Sequence, residues 1–148
     1  MALEIERKFL VKNTEYKSLA YNSEYISQGY LSTDADRTVR VRIKGDRAFL
    51  TIKSRNQGAV RGEWEYEIPV KDARELMLLC PNSVSKTRWY VRHDDGHVWE
   101  VDEFDGRHAG LTIAEIELSD ADEPISMPLF VDSEVTGDPR YYNSNLSK

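Results

Sequence analysis

The stretch Glu63-Trp64-Glu65-Tyr66-Glu67 decides the reading of this chain. Acids and aromatics alternate with period two, the spacing of a β-strand whose side chains point to opposite faces. At a rise of roughly 3.3 Å per residue, successive same-face carboxylates lie about 6.5–7 Å apart. Like charges at that spacing repel, and an ordinary solvated face mixes signs. A strand with one acidic face and one aromatic face therefore asks what the acids are kept for.

Working outward, the same alternation recurs along the chain. Leu3, Ile5, Phe9 and Val11 are apolar, with Glu4, Glu6 and Lys8 between them. Val39, Val41 and Ile43 alternate with Arg40, Arg42 and Lys44, and Ala48, Leu50 and Ile52 with Thr51 and Lys53. Lys86, Arg88, Tyr90 and Arg92 share a face, as do Glu100 and Asp102, and Glu115 and Glu117. Tyr25 to Leu31 gives an eighth strand of weaker alternation. Gly45-Asp46, Gln57-Gly58, Asp94-Asp95-Gly96 and Asp105-Gly106 read as turns, and short connections favour antiparallel pairing. Helices are few: Asp72 through Leu79, stopped by Pro81, a turn over 14–20, a helix over 120–127, and a short one in the tail over 140–146. The expected fold is a β-rich α+β domain spanning residues 1–148, with about eight antiparallel strands.

The charged faces carry Glu, Asp, Lys and Arg rather than Ser, Thr, Asn or Gln, in blocks of one sign. Grouped carboxylates suit a hard divalent cation such as Mg²⁺. Lys8, Arg40, Arg42, Lys53, Lys86, Arg88 and Arg92 suit phosphate, Arg by its fork of donors and Lys as a point charge. Metal-holding acids beside such bases make a site for polyphosphate. The charges converge only if the polar faces turn inward, and a closed eight-stranded barrel is just wide enough for side chains or a slender ligand.

Composition bounds the function. With 20 Lys+Arg against 26 Asp+Glu the net charge is −6, which disfavours a nucleic-acid binder or a coat for anionic membrane. Nine acids and seven bases in the expected lining leave that lining at −2. No segment is apolar for the roughly 18 residues of a membrane span. The N-terminal residues lack an apolar signal core, so a cytoplasmic protein is expected. The single cysteine, Cys80, lies in an apolar run and reads as a buried, inert thiol. His93, His97 and His108 lack ligand spacing and read as surface residues. Trp64, Trp89 and Trp99, opposite the charged faces, read as packing on the outer wall. No P-loop, kinase motif set or Gly-x-Gly-x-x-Gly occurs.

Glu4-Ile5-Glu6-Arg7-Lys8 resembles the Glu-x-Glu-x-Lys signature of the CYTH superfamily, the triphosphate tunnel metalloenzymes. Arg40-Val41-Arg42, Lys53, the Glu63–Glu67 stretch, Lys86-Thr87-Arg88, Asp102 and Glu115-Ile116-Glu117 follow in the family's order, and the ending through Arg140-Tyr141 and Asn143 is similar to the small bacterial members. The resemblance implies an eight-stranded antiparallel tunnel and metal-dependent chemistry on a triphosphate. It implies Glu4, Glu6, Glu115 and Glu117 as metal ligands, with Glu63 and Glu65 as further acids for a second metal or its water. It implies Lys8, Arg40, Arg42, Lys53, Lys86 and Arg88 as phosphate-binding bases. Glu67, Glu100, Asp102 and Arg92 are candidates for the rest of the lining.

Mg²⁺ or Mn²⁺ is the implied cofactor, two ions in the active complex, with Glu4, Glu6, Lys8, Glu63 and Glu65 catalytic. The implied partner is a small triphosphate, with no nucleic acid and no membrane, on a monomer or homodimer. Family members divide into inorganic or nucleoside triphosphatases, thiamine triphosphatases and adenylate cyclases. The short chain and the missing His-Phe pair of the cyclase subgroup favour tripolyphosphate. A cyclase, a thiamine triphosphatase and a non-catalytic polyphosphate or nucleotide binder remain the alternatives. The segment over 140–143 reads either as a plug at one tunnel mouth or as C-terminal packing.

Overall fold

The computed structural model describes residues 2–148. Its strands are β1 (Leu3–Val11), β2 (Asn22–Ser32), β3 (Thr38–Lys44), β4 (Arg47–Lys53), β5 (Val60–Ile68), β6 (Asn82–Arg92), β7 (Val98–Phe104), β8 (Thr112–Glu117) and β9 (Val131–Glu134). Three short helices are α1 (Tyr16–Leu19), α2 (Val70–Met77) and α3 (Asn143–Leu146). The sheet order is β5-β4-β3-β2-β6-β7-β8-β1, and β5 pairs back onto β1, so eight antiparallel strands close into a barrel. The closing seam is short: Leu3↔Gly62, Glu4↔Arg61 and Ile5↔Val60. The ninth strand, absent from the sequence reading, pairs with the far end of β1 through Phe9↔Glu134 and Val11↔Val131. It is too short for its alternation to register.

Most of the hydrophobic core lies outside the barrel. Outward-facing Phe9, Val91, Trp99, Val101, Ala114 and Ile116 pack with Tyr16 of α1 and with Phe130 and Val131. A second outer cluster seats α2 through Ala73, Leu76 and Met77 on Val41, Ala48 and Leu50. A third, Val84, Phe104, Ile113 and Leu146, has the parity of Lys86, Asp102 and Glu115. It therefore fills the inside of the barrel at one end, where Leu146 of α3 caps it.

Trp89 and Trp99 join the first outer cluster as expected, while the Trp64 ring folds over Gly62, where a Cβ would meet it at 2.8 Å. Cys80 is half-buried and donates to the Leu76 carbonyl. The α2 helix begins at Val70, behind Pro69, two residues before the expected Asp72, because Ile68 and Val70 join its apolar cluster.

The helix expected over 120–127 does not form. Side chains satisfy that segment's backbone donors instead: Glu123 accepts from Ser119 N at 2.8 Å and Asp95 from Ser126 N at 2.9 Å. The segment runs as a strap that lays Ile125 on the outer cluster. The tail does form short helical turns over Pro139–Tyr141 and Asn143–Leu146. Among the described residues no helix is long and apolar enough to cross a membrane.

Candidate active site

Closure turns the charged strand faces inward around a cavity of about 260 Å³. Glu4, Glu6, Lys8, Arg40, Arg42, Lys53, Glu63, Glu65, Lys86, Arg88, Glu100, Glu115 and Glu117 all line it. Three expected lining residues do not. Glu67 and Arg92 lie at strand ends beyond the rim: Glu67 pairs with Arg47 at 2.7 Å, and the Arg92 guanidinium sits 5.8 Å from the Tyr21 ring centre. Asp102 lies behind the wall of bases, fully buried. Lys44, Arg61, Thr38, Thr51 and Tyr30 were missed, although parity with Arg42, Glu63, Arg40, Lys53 and Gln28 places each on an inward face. Asn56 and Tyr142 to Ser144 come from segments without periodicity. With Lys44 and Arg61 added, the lining holds seven carboxylates and eight bases, so the expected −2 becomes +1.

The acids divide into two groups. Oxygens of Glu4 (β1), Glu63 (β5) and Glu117 (β8) lie within 4.8 Å of one another. Such an all-oxygen set fits a hard divalent cation, and no thiol or imidazole shares it. Burial raises the pKa of Glu117, and Glu4, Glu100 and Glu6 reinforce it. Burial also raises Glu4, partly offset by Lys53. Acids pushed toward the neutral form are those a bound cation would relieve.

Glu115 and Asp102 are held ionised by bases instead. Glu115 accepts from Lys8 Nζ at 2.8 Å, and Arg88 lies at 3.7 Å. Burial alone would raise its pKa, but Lys8, Arg88 and Lys86 outweigh it and hold it well below the usual range. Glu6 sits 3.7 Å from Lys8, and burial beside Glu115 lifts its pKa to about 7. The four acids expected as one metal set thus divide: Glu4 and Glu117 lie with Glu63, whereas Glu6 and Glu115 face Lys8.

The bases form the opposite wall. Arg88 grips Asp102 with two donors at 2.8 and 2.9 Å and reaches Glu100 at 3.0 Å. Lys86 meets Asp102 at 2.7 Å and donates to Asn143 Oδ1 at 2.8 Å. Burial, only partly opposed by Asp102, lowers the Lys86 pKa to about 7. Arg42 donates to buried Gln28 at 3.1 Å, and burial with Arg40 and Arg88 nearby lowers its pKa to about 10. Arg40 lies 3.4 Å from Glu65, and its buried Nε finds no acceptor among the described residues. An orphaned guanidinium donor and mutually crowded cations suit an anion of high charge. Asn143 ties the tail to this wall by also accepting from Gln28 at 3.0 Å. None of the three histidines lines the cavity.

Comparison with known proteins agrees with this geometry. The CYTH domain profile matches residues 2–142. An inorganic triphosphatase of Acetivibrio thermocellus is 48% identical, over 100% of this chain and 95% of that protein. One from Nitrosomonas europaea is 36% identical, over 97% and 96%. A crystal structure of an inorganic triphosphatase superposes with a TM-score of 0.67 at 34% identity, covering 99% of this chain and 95% of that one. A Hippeastrum protein described as a putative adenylyl cyclase with dominant triphosphatase activity shares the fold, with a TM-score of 0.63 at 15% identity over 79% and 80% of the chains. Barrel, signature and full-length match together place this chain in the CYTH domain family.

Proposed function

We propose that this CYTH-family chain is a divalent-cation-dependent triphosphatase, splitting inorganic triphosphate into phosphate and pyrophosphate inside the tunnel. One observation carries the reading: the Glu4–Glu63–Glu117 oxygen cluster shares a cavity of about 260 Å³ with a wall of Lys and Arg. Inorganic triphosphate is favoured over a nucleotide because, among the described residues, Tyr30 and Tyr142 alone give the lining an aromatic ring, which leaves a base little to stack on. We place the enzyme in the cytoplasm as a monomer or homodimer.

Glu4, Glu63 and Glu117 would hold Mg²⁺ or Mn²⁺, with a second ion near Glu65 or Glu6. Bound there, the cation supplies charge neutralisation on phosphate oxygens and a more acidic water. The chain supplies the rest. Lys8, Arg40, Arg42, Lys86 and Arg88 orient the triphosphate and stabilise charge on the transferred phosphoryl group and on the departing pyrophosphate. Their positions are set before substrate arrives by Glu115 for Lys8, Glu65 and Thr51 for Arg40, Gln28 for Arg42, and Asp102 for Lys86 and Arg88, so little reorganisation is needed during reaction.

The test is phosphate release from tripolyphosphate, ATP and thiamine triphosphate with Mg²⁺, Mn²⁺ or chelator. Fastest metal-dependent release from tripolyphosphate supports the reading. No release from it with either metal sinks it, and cyclic AMP from ATP would identify a cyclase.

A further inference from the structure

The acid cluster already holds a cation of the protein's own. Lys53 Nζ lies 3.1 Å from each oxygen of Glu4 and 3.2 Å from Glu63 Oε2. Two of the three clustered acids thus grip the same ammonium. The backbone register sets this up: Lys53 pairs directly with Glu63 across β4–β5, and Glu4 pairs with Arg61 one inward position along β5. The neighbouring bases are engaged elsewhere. Lys8 pairs with Glu115 and Glu6, Arg40 with Glu65, and Lys86 and Arg88 with Asp102.

Oxygens within 4.8 Å of one another cannot serve an ammonium and a divalent ion at full strength together, because the two cations would repel at contact distance. The ammonium sits on a flexible four-carbon stem and can leave. We propose that Lys53 is a built-in counter-ion: it holds the acids together in the metal-free tunnel, a divalent cation displaces it, and the freed ammonium turns to the triphosphate. This rests on reading Glu4, Glu63 and Glu117 as the cation site. Loading the cation then creates a phosphate contact, and by linkage triphosphate tightens the cation. An enzyme built this way couples two ligands through one side chain without moving its backbone.

The experiment measures Mn²⁺ binding without triphosphate, by electron paramagnetic resonance of the free ion, in wild type, Lys53→Met and Lys8→Met. Both variants remove one tunnel charge, but only the first removes the competitor at the cluster. The expected result is at least tenfold tighter Mn²⁺ binding in Lys53→Met and only a few-fold change in Lys8→Met. In the wild-type protein, Mn²⁺ alone should increase acetylation of Lys53, read by mass spectrometry, and tripolyphosphate added with it should reduce it. Equal affinities in the two variants, or Lys53 labelling unmoved by Mn²⁺, would overturn the exchange. Undiminished Mn²⁺ binding in both Glu63→Gln and Glu117→Gln would instead overturn the cation site on which it rests.

Discussion

Removing Asp102 should cost the protein stability that its substrate can restore. Asp102 is fully buried and takes three charged donors: Arg88 Nε at 2.8 Å, Arg88 Nη2 at 2.9 Å and Lys86 Nζ at 2.7 Å. Asp102→Ala leaves two cations buried without it. Stripping one partner from a buried pair costs about 3–5 kcal/mol. The two losses should not double. Arg88 keeps Glu100 at 3.0 Å, and Lys86, already at a pKa of about 7, can shed its proton. A total near 3–5 kcal/mol lowers the melting temperature of a chain this size by roughly 6–20 °C. Calorimetry at pH 7 reads it. Tripolyphosphate without metal should then raise the melting temperature more in Asp102→Ala than in wild type, because it returns negative charge to Arg88 and Lys86. A variant melting within 1 °C of wild type, or one that tripolyphosphate stabilises no better, would refute the view of Asp102 as the shared counter-ion of these two bases.

Three further outcomes follow from other parts of the molecule. Glu117→Ala should abolish metal-dependent phosphate release while barely moving the melting temperature, whereas Glu115→Ala should lower both, because Lys8 and Arg88 lose a buried partner; calorimetry beside turnover separates them. His97 is bonded through Nδ1 to Asp95 at 2.8 Å and through Nε2 to Glu123, and these bonds raise its pKa above 6.5. A raised histidine contributes its full stability below about pH 6.5 and loses it as pH climbs through the folded-state value. The melting temperature should therefore drop by a few degrees between pH 6 and 9 relative to His97→Gln, and parallel curves would reject the clasp. Gly29→Ala places a Cβ 2.8 Å from Cys80 Sγ and 2.9 Å from Cys80 Cβ, so denaturant titration should show a loss of about 1–3 kcal/mol.

The barrel was legible because alternation is a local property and closure follows from where the charge falls. Parity alone places Lys44, Arg61 and Thr51 inside, and it fails for Glu67 and Arg92 only because a strand keeps its alternation after it leaves the barrel. The division of the acids was not legible. Glu4, Glu63 and Glu117 come from three strands, and their grouping depends on the stagger at the three-pair β1–β5 seam. Glu-x-Glu spacing says that Glu4 and Glu6 share a face, not which of them meets β5 and which meets Lys8. The strap over 119–126 escaped because side chains replace a helical ladder there, and Asp95 and His97 lie too far away in sequence to signal it.

The placement of the hydrophobic core follows from the same chemistry. A barrel that fills itself with charge cannot draw most of its stability from its interior, where the Val84–Phe104–Ile113–Leu146 cluster packs one end, and burying ions without partners costs several kcal/mol each. Two arrangements resolve this. Apolar side chains move to the outer face, where α1, the strap and α2 cover Trp99, Phe9 and Val41. Inside, each base named as a phosphate ligand except Arg42 keeps an acid within 4 Å. Arg42 has the Gln28 amide oxygen instead, and Arg40 leaves Nε without an acceptor. The interior is thus nearly neutralised and short of negative charge at these two guanidinium groups. Arg40 and Arg42 should accordingly contribute more binding energy per side chain than Lys8 or Lys86, whose pairs with Glu115 and Asp102 the cation does not release, because triphosphate need not break a charged pair at Arg42 and finds a free donor at Arg40. If each base simply added one unit of attraction, alanine substitution at the four positions would weaken triphosphate binding equally.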